Sequence, residues 1–158
     1  MVEAERQRHR VTRIIAATRF PFLDQEESSW PPSYQTVVND EQSRFGLKGP
    51  DDVGIVYPSI VVANPDGSIR EFGLVEGAED ISEGSLERWR ALSDVAPYGR
   101  EHKKMFLYVP EGYEEKTLSL LEENGIDYDG IRGYRVEKQS LKILPFKTQN
   151  DEYDHTVT

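Results

Sequence analysis

Residues 56–77 read VYPSIVVANPDGSIREFGLVEG. Two apolar runs flank Asn64-Pro65-Asp66-Gly67. Proline presets φ at the second position of a turn and glycine tolerates positive φ, so the link carries turn chemistry. The spacing predicts an antiparallel hairpin of Ile55–Ala63 and Ser68–Val75. Both strands are apolar on both faces, which places the hairpin centrally in a sheet covered on two sides. The second run ends on a carboxylate, Glu76. A charge there is either a ligand position or a surface residue where the strand leaves the sheet.

The segments downstream extend the sheet. Asp80-Ile81-Ser82-Glu83 has the spacing of a helix start, with a glutamate three residues after an acidic cap. Leu86, Trp89 and Leu92 give that helix an apolar edge, and Pro97 and Gly99 end it. Lys103–Val109 reads as a buried strand. Pro110-Glu111-Gly112 opens a second helix with Tyr113, Thr117, Leu118 and Leu121 on its apolar face, and Asn124-Gly125 is a left-handed stop. Ile131–Val136 is the next strand, and strand, helix, strand in that order predicts a parallel pair. Ser140–Phe146 adds an edge strand.

The segments upstream are less regular. Residues 3–19 predict a helix with Val11, Ile14, Ile15 and Thr18 on one stripe. Arg6, Arg10 and Arg13 fall at i, i+4 and i+7, on another face. That face is either a solvated surface or a cationic surface for phosphates. Residues 20–54 carry Pro21, Pro31, Pro32, Gly46, Gly49 and Pro50 with aromatic residues between them. They read as an irregular region with a short strand near Tyr34–Val38. The sequence divides into one α/β domain over residues 1–147 and a polar tail, 148–158, expected to be disordered unless it docks on a partner.

Composition narrows the chemistry. The chain has 158 residues, enough for one domain with a sizeable core. It has no cysteine and only His9, His102 and His155, so thiolate chemistry is excluded and a histidine-rich zinc site is poorly supported. No Walker-type or dinucleotide-binding glycine loop is present. Residues 1–20 hold five arginines against two glutamates; that net of +3 within a formal charge of -10 leaves -13 for the remainder. A body this acidic does not attract polyanions at long range, so nucleic acid would need a local basic patch. No apolar run approaches the roughly 18–20 residues of a membrane span. With no signal-peptide pattern, the expected setting is cytoplasmic, without membrane contact.

The first helix, the hairpin with Tyr57-Pro58-Ser59 on one strand and Val75-Glu76 ending the next, and the helix and strand that follow resemble the restriction-endonuclease-like fold, the PD-(D/E)xK nuclease superfamily. YPSIVVANPDGSIREFGLVEGAED followed by the Trp89 helix and LYVPEGYEE is similar to small prokaryotic members. The resemblance covers roughly residues 50–136. It implies a mixed sheet flanked by helices on both faces, and a site of two acids and a lysine. Those acids would hold Mg²⁺ or Mn²⁺, and the metal would activate a water on a phosphodiester. Mapped here, Ser59 stands at the first acid, Glu76 at the second and Ala78 at the lysine. The motif is degenerate, with Glu76 its one surviving carboxylate. Glu5 is the candidate for an acid that the first helix sometimes adds in the family.

In an ideal hairpin Ala63 faces Ser68, so Ser59 faces Phe72, roughly 13 Å along the strand from Glu76. The same register gathers Asp51, Asp52, Glu76, Glu79 and Asp80 at the open end of the hairpin. They read either as a rearranged metal site using Glu76, Glu79 and Asp52, or as solvated residues at element ends, with Asp80 capping a helix.

Three functions follow. The favoured one is a non-catalytic restriction-endonuclease-like module that associates with nucleic acid (DNA or RNA, through Arg6, Arg10 and Arg13) or with protein. The second is a Mg²⁺- or Mn²⁺-dependent phosphodiesterase around Glu76, with Ser59 in the site. The third is a homo-oligomeric structural protein, for instance a homodimer, joined through the aromatic region 20–54.

Overall fold

The computed structural model describes residues 3–17, 35–39, 46–48, 55–63, 69–94, 104–138 and 140–148. The hairpin turn, most of the region 20–54 and the tail beyond Thr148 lie outside the described residues. The elements are α1 (Glu3–Ala17), β1 (Gln35–Val38), β2 (Leu47–Lys48), β3 (Ile55–Val56), β4 (Ile60–Ala63), β5 (Ile69–Val75), α2 (Leu86–Asp94), β6 (Lys104–Pro110), α3 (Glu114–Glu123), β7 (Gly130–Glu137) and β8 (Ser140–Thr148). Six strands form one mixed sheet in the order β1-β4-β5-β6-β7-β8, and β2 and β3 form a separate pair. The chain is α/β, and β5, β6 and β7 run parallel, joined through α2 and α3. No helix among the described residues is long and apolar enough to cross a membrane.

The alternation of side chains along each strand divides the core into two clusters. Val61, Phe72, Leu74, Met105, Leu107, Val109 and Ile131 pack with Trp89 and Leu92 of α2 and Leu121 of α3. Their strand neighbours Ile60, Val62, Val75, Phe106, Tyr108 and Tyr134 pack with Val11 and Ile15 of α1. On α1 the buried stripe is Val11, Thr12 and Ile15, while Ile14 is half-buried and Thr18 lies outside the described residues. Arg6, Arg10 and Arg13 are exposed on the helix.

Several expectations are corrected. The run from Ile55 to Ala63 is not one strand, because Pro58 has no N–H to donate to a ladder. It breaks into β3 and β4, and the Pro58 carbonyl instead accepts from Asn39 Nδ2 at 2.8 Å. The hairpin register also differs. Ala63 pairs with Ile69, but Val62 pairs with Glu71, so Arg70 is an extra residue in β5. From this bulge onward the ladder is offset, and Ile60 lies opposite Gly73. The segment after Glu76 does not enter a helix at Asp80. It makes two 3₁₀ turns, Ala78–Asp80 and Glu83–Ser85, before α2 begins at Leu86. Ser82 supplies a cap, its Oγ accepting from Gly84 N at 3.3 Å. α3 stops as expected, with Gly125 at φ 63°.

The β8 edge carries devices that discourage strand addition. The Tyr134 carbonyl accepts from Glu111 N on the β6 side, so Ile143, opposite Tyr134, turns its backbone groups outward. Pro145, two residues on, stands where an outward N–H would otherwise be. A register shift follows it, and Lys142 and Lys147 flank it. Pro145→Thr should restore the outward donor and promote self-association. Light scattering at rising concentration checks this, and a variant as monodisperse as the parent would show that the proline does not guard the edge.

Candidate functional site

The charge at the end of β5 has a structural answer. Glu76 follows Val75, which faces α1, so alternation turns the Glu76 side chain towards α2. It is 2% exposed. A buried carboxylate is very costly unless it is paired and hydrogen-bonded. Here each oxygen has a donor: Trp89 Nε1 donates to Oε1 at 3.0 Å and Arg88 Nη2 donates to Oε2 at 2.8 Å. The backbone is held as well. Glu76 N donates to the Tyr108 carbonyl at 2.9 Å, and Tyr134 Oη donates to the Glu76 carbonyl at 2.6 Å.

Ser59 comes closer to Glu76 than the ideal hairpin implied, because Ala63 pairs with Ile69 instead of Ser68 and the bulge at Arg70 then adds a second residue of offset. Its Oγ accepts from Val75 N at 2.8 Å, so the hydroxyl serves as an extra rung between β4 and β5. Ala78 is exposed in the first 3₁₀ turn. Of the other acids, Asp80 Oδ2 accepts from Gly77 N at 3.0 Å and from Arg8 Nη1 at 3.1 Å. Asp80 thus closes a turn on Gly77 and binds it to α1, rather than capping a helix. Glu79 is exposed, 3.9 Å from Arg8 Nη1. Glu5 is half-buried one turn before Arg8 on α1. Asp51 and Asp52 lie outside the described residues.

Among the described residues no group of three or more His, Asp or Glu is placed to hold a metal ion. The side chains at the motif positions do not fit one either. Both Glu76 oxygens are engaged, the Ser59 hydroxyl accepts a backbone N–H, and Ala78 has no amine.

The arrangement includes residues that the sequence did not single out for Glu76. Trp89 was expected in the core, and it is there. Arg88 and Arg90 flank Trp89, and by spacing alone both read as solvated. Arg90 is exposed and donates to the Asn124 carbonyl at 2.8 Å, but Arg88 turns inward onto Glu76. Arg8 and Tyr134 complete the set. The only hint in the sequence was a lone acid and a nearby Arg-Trp pair, which is no motif.

Titration follows from this packing. Burial opposes the charged form of Arg88, but the Glu76 charge and hydrogen bond outweigh it and hold the guanidinium above its ordinary range. Burial, with the charges of Glu76, Glu79 and Asp80, pushes the Tyr134 hydroxyl up. Burial and the hydrogen bond to Glu122 do the same for Tyr128.

Glu76→Ala leaves Arg88 and Trp89 without their acceptor and should cost about 3 kcal/mol, at the low end for a broken buried pair because Arg88 can rehydrate. Trp89→Phe leaves Oε1 without its donor and should cost about 2 kcal/mol. Urea unfolding followed by circular dichroism checks both, and an unchanged midpoint in Glu76→Ala would contradict the central role of the carboxylate. The raised tyrosines set a pH dependence. The native state keeps a proton that the unfolded state releases near pH 10. Stability is therefore fully present below about pH 10 and falls as pH rises above it. Tyr134→Phe should flatten that fall, as read from unfolding midpoints between neutral and strongly alkaline pH.

Comparison with protein-family models, with curated proteins and with solved structures finds no match to this chain.

Proposed function

We propose that this chain is a restriction-endonuclease-like module that associates with nucleic acid without cutting it. The observation that carries the reading is the state of Glu76, the one acid left at the motif positions. Its two oxygens are held by Arg88 and Trp89 at 2.8 and 3.0 Å, so a divalent cation would have to displace a buried ion pair and an indole donor. With serine at the first acid and alanine at the lysine, nothing at these positions replaces what the family uses to activate water. The restriction-endonuclease-like assignment itself rests on the resemblance and is supported by the mixed sheet with parallel β5, β6 and β7.

Nucleic acid is favoured over a protein partner by α1. Arg6, Arg10 and Arg13 are exposed on a helix of a chain that is otherwise strongly acidic. Such a local patch acts at short range and is sensitive to salt.

Fluorescence anisotropy with labelled DNA and RNA oligonucleotides tests the reading. Binding should be measurable at low salt. It should weaken in the combined Arg6→Ala, Arg10→Ala and Arg13→Ala variant, with the salt slope reduced by about 2. Incubation with Mn²⁺ or Mg²⁺ should leave the oligonucleotides intact. Metal-dependent cleavage abolished by Glu76→Ala would overturn the proposal in favour of a phosphodiesterase built on Glu76, Glu79 and Asp52.

A further inference from the structure

The two edges of the sheet are built differently. β8 carries Pro145, a register shift, Lys142 and Lys147. β1 has none of these devices. Its four residues, Gln35-Thr36-Val37-Val38, include no proline and no charge, and they pair with β4 without a shift. Threonine and valine favour extended backbone. An unguarded edge of this kind is a template for another strand.

The hydrogen bonds fix which groups that strand would meet. Asn39 N donates to the Ser59 carbonyl at 2.9 Å, so Asn39, Val37 and Gln35 turn their backbone groups towards β4. Thr36 and Val38 therefore turn theirs outward. Among the described residues no bond meets those outward groups, and β4 is the one strand beside β1. Thr36 is exposed, and Val37 and Val38 are half-buried.

We propose that β1 is the seam of a homodimer, in which the β1 strands of two copies pair antiparallel and the two sheets join edge to edge. The edge is complementary to itself. With Thr36 opposite Val38 of the partner subunit, and Val38 opposite the partner's Thr36, both outward residues of both copies exchange their N–H and C=O groups. Val37 then meets the partner's Val37 at the two-fold axis, at roughly the 4.5 Å Cα spacing of a non-hydrogen-bonded pair. Val37 lies on the face of Val61 and is half-buried, so the pairing completes its cover. No charge falls within the paired strands, so two chains of net charge -10 join where like charges do not oppose each other. Such a contact is isologous, the type that closes the commonest homo-oligomers.

The seam also places α1. This helix packs over β1 on the face that Thr36 and Val38 share with Val62 and Ile60. Opposed residues of antiparallel strands share a face, so both copies of α1 stand on one side of the joined sheet. A ligand that spans the two arginine-bearing helices gains avidity. The pairing of β1 does not rest on the reading of α1 as a nucleic-acid surface.

Sedimentation equilibrium of the full chain tests the seam. The mass should be twice the 18.1 kDa of one chain. Thr36→Pro removes one outward donor from each copy and no bond to β4, so its dimer should be roughly thirtyfold weaker, two hydrogen bonds lost from the seam. Thr36→Ala keeps the N–H and should stay dimeric. A single-chain mass for the wild type at every concentration overturns the proposal. So does a Thr36→Pro variant that dimerises as tightly as the wild type, because the seam then lies elsewhere. Hydrogen exchange of the wild type decides the matter should Thr36→Pro not fold. The Thr36 and Val38 amides should exchange slowly in the dimer and quickly on dilution to single chains. Fast exchange of both in a chain of doubled mass overturns the seam, and slow exchange in a monomer assigns the edge to another part of the same chain and overturns it too.

Discussion

A carboxylate buried at the end of a central strand dictates much of what surrounds it. Glu76 reaches its position because seven residues of β5 lie between two other strands, and the chain must leave the sheet somewhere. Alternation aims its side chain into the layer beneath α2, where water does not reach. Two donors must therefore be delivered from a different element. α2 delivers them from consecutive residues, Arg88 and Trp89, and that requirement fixes how the first turn of the helix lies on the sheet. Tyr134 then anchors the Glu76 carbonyl from the other face, and Asp80 ties the next turn to α1 through Arg8. Four elements converge on five residues of chain.

This convergence explains which parts of the fold were legible. The strands and α3 announce themselves locally: Val-, Ile- and Leu-rich runs, a 3.6-residue period, and Asn124-Gly125 as a stop. The order strand, helix, strand then implies parallel pairing, and β6 and β7 are parallel. What failed to show was whatever depends on a single inserted residue or on a distant partner. Arg70 is unremarkable in the sequence, yet as a bulge it offsets the hairpin register and brings Ser59 to Val75. Pro58 splits an apolar run that otherwise reads as one strand. Arg88 and Arg90 are indistinguishable by spacing, and only the position of Glu76 in the fold decides that one turns inward and the other outward.

The chemistry of the site is that of one buried carboxylate met by a guanidinium and an indole. A divalent ion needs several oxygen ligands with open coordination, and it polarises whatever it binds. A guanidinium beside a single carboxylate gives attraction and direction without polarising power. Ser59 fits the same pattern, its hydroxyl bracing the backbone instead of carrying charge. Ser59 and Ala78 add no charge of their own beside the buried Glu76.

The place of Glu76 in the sheet sets what can cover it. β5, β6 and β7 run parallel, and Glu76 stands just past the carboxyl end of β5, next to the antiparallel neighbour β4. The order β1-β4-β5-β6-β7-β8 follows the chain without reversing, so no switch-point crevice opens beside Glu76 and α2 covers its side chain instead. A half-exposed arginine whose one nitrogen meets a buried acid leaves its remaining N–H groups to water at little cost, so the pairing with Glu76 is what the fold requires of Arg88.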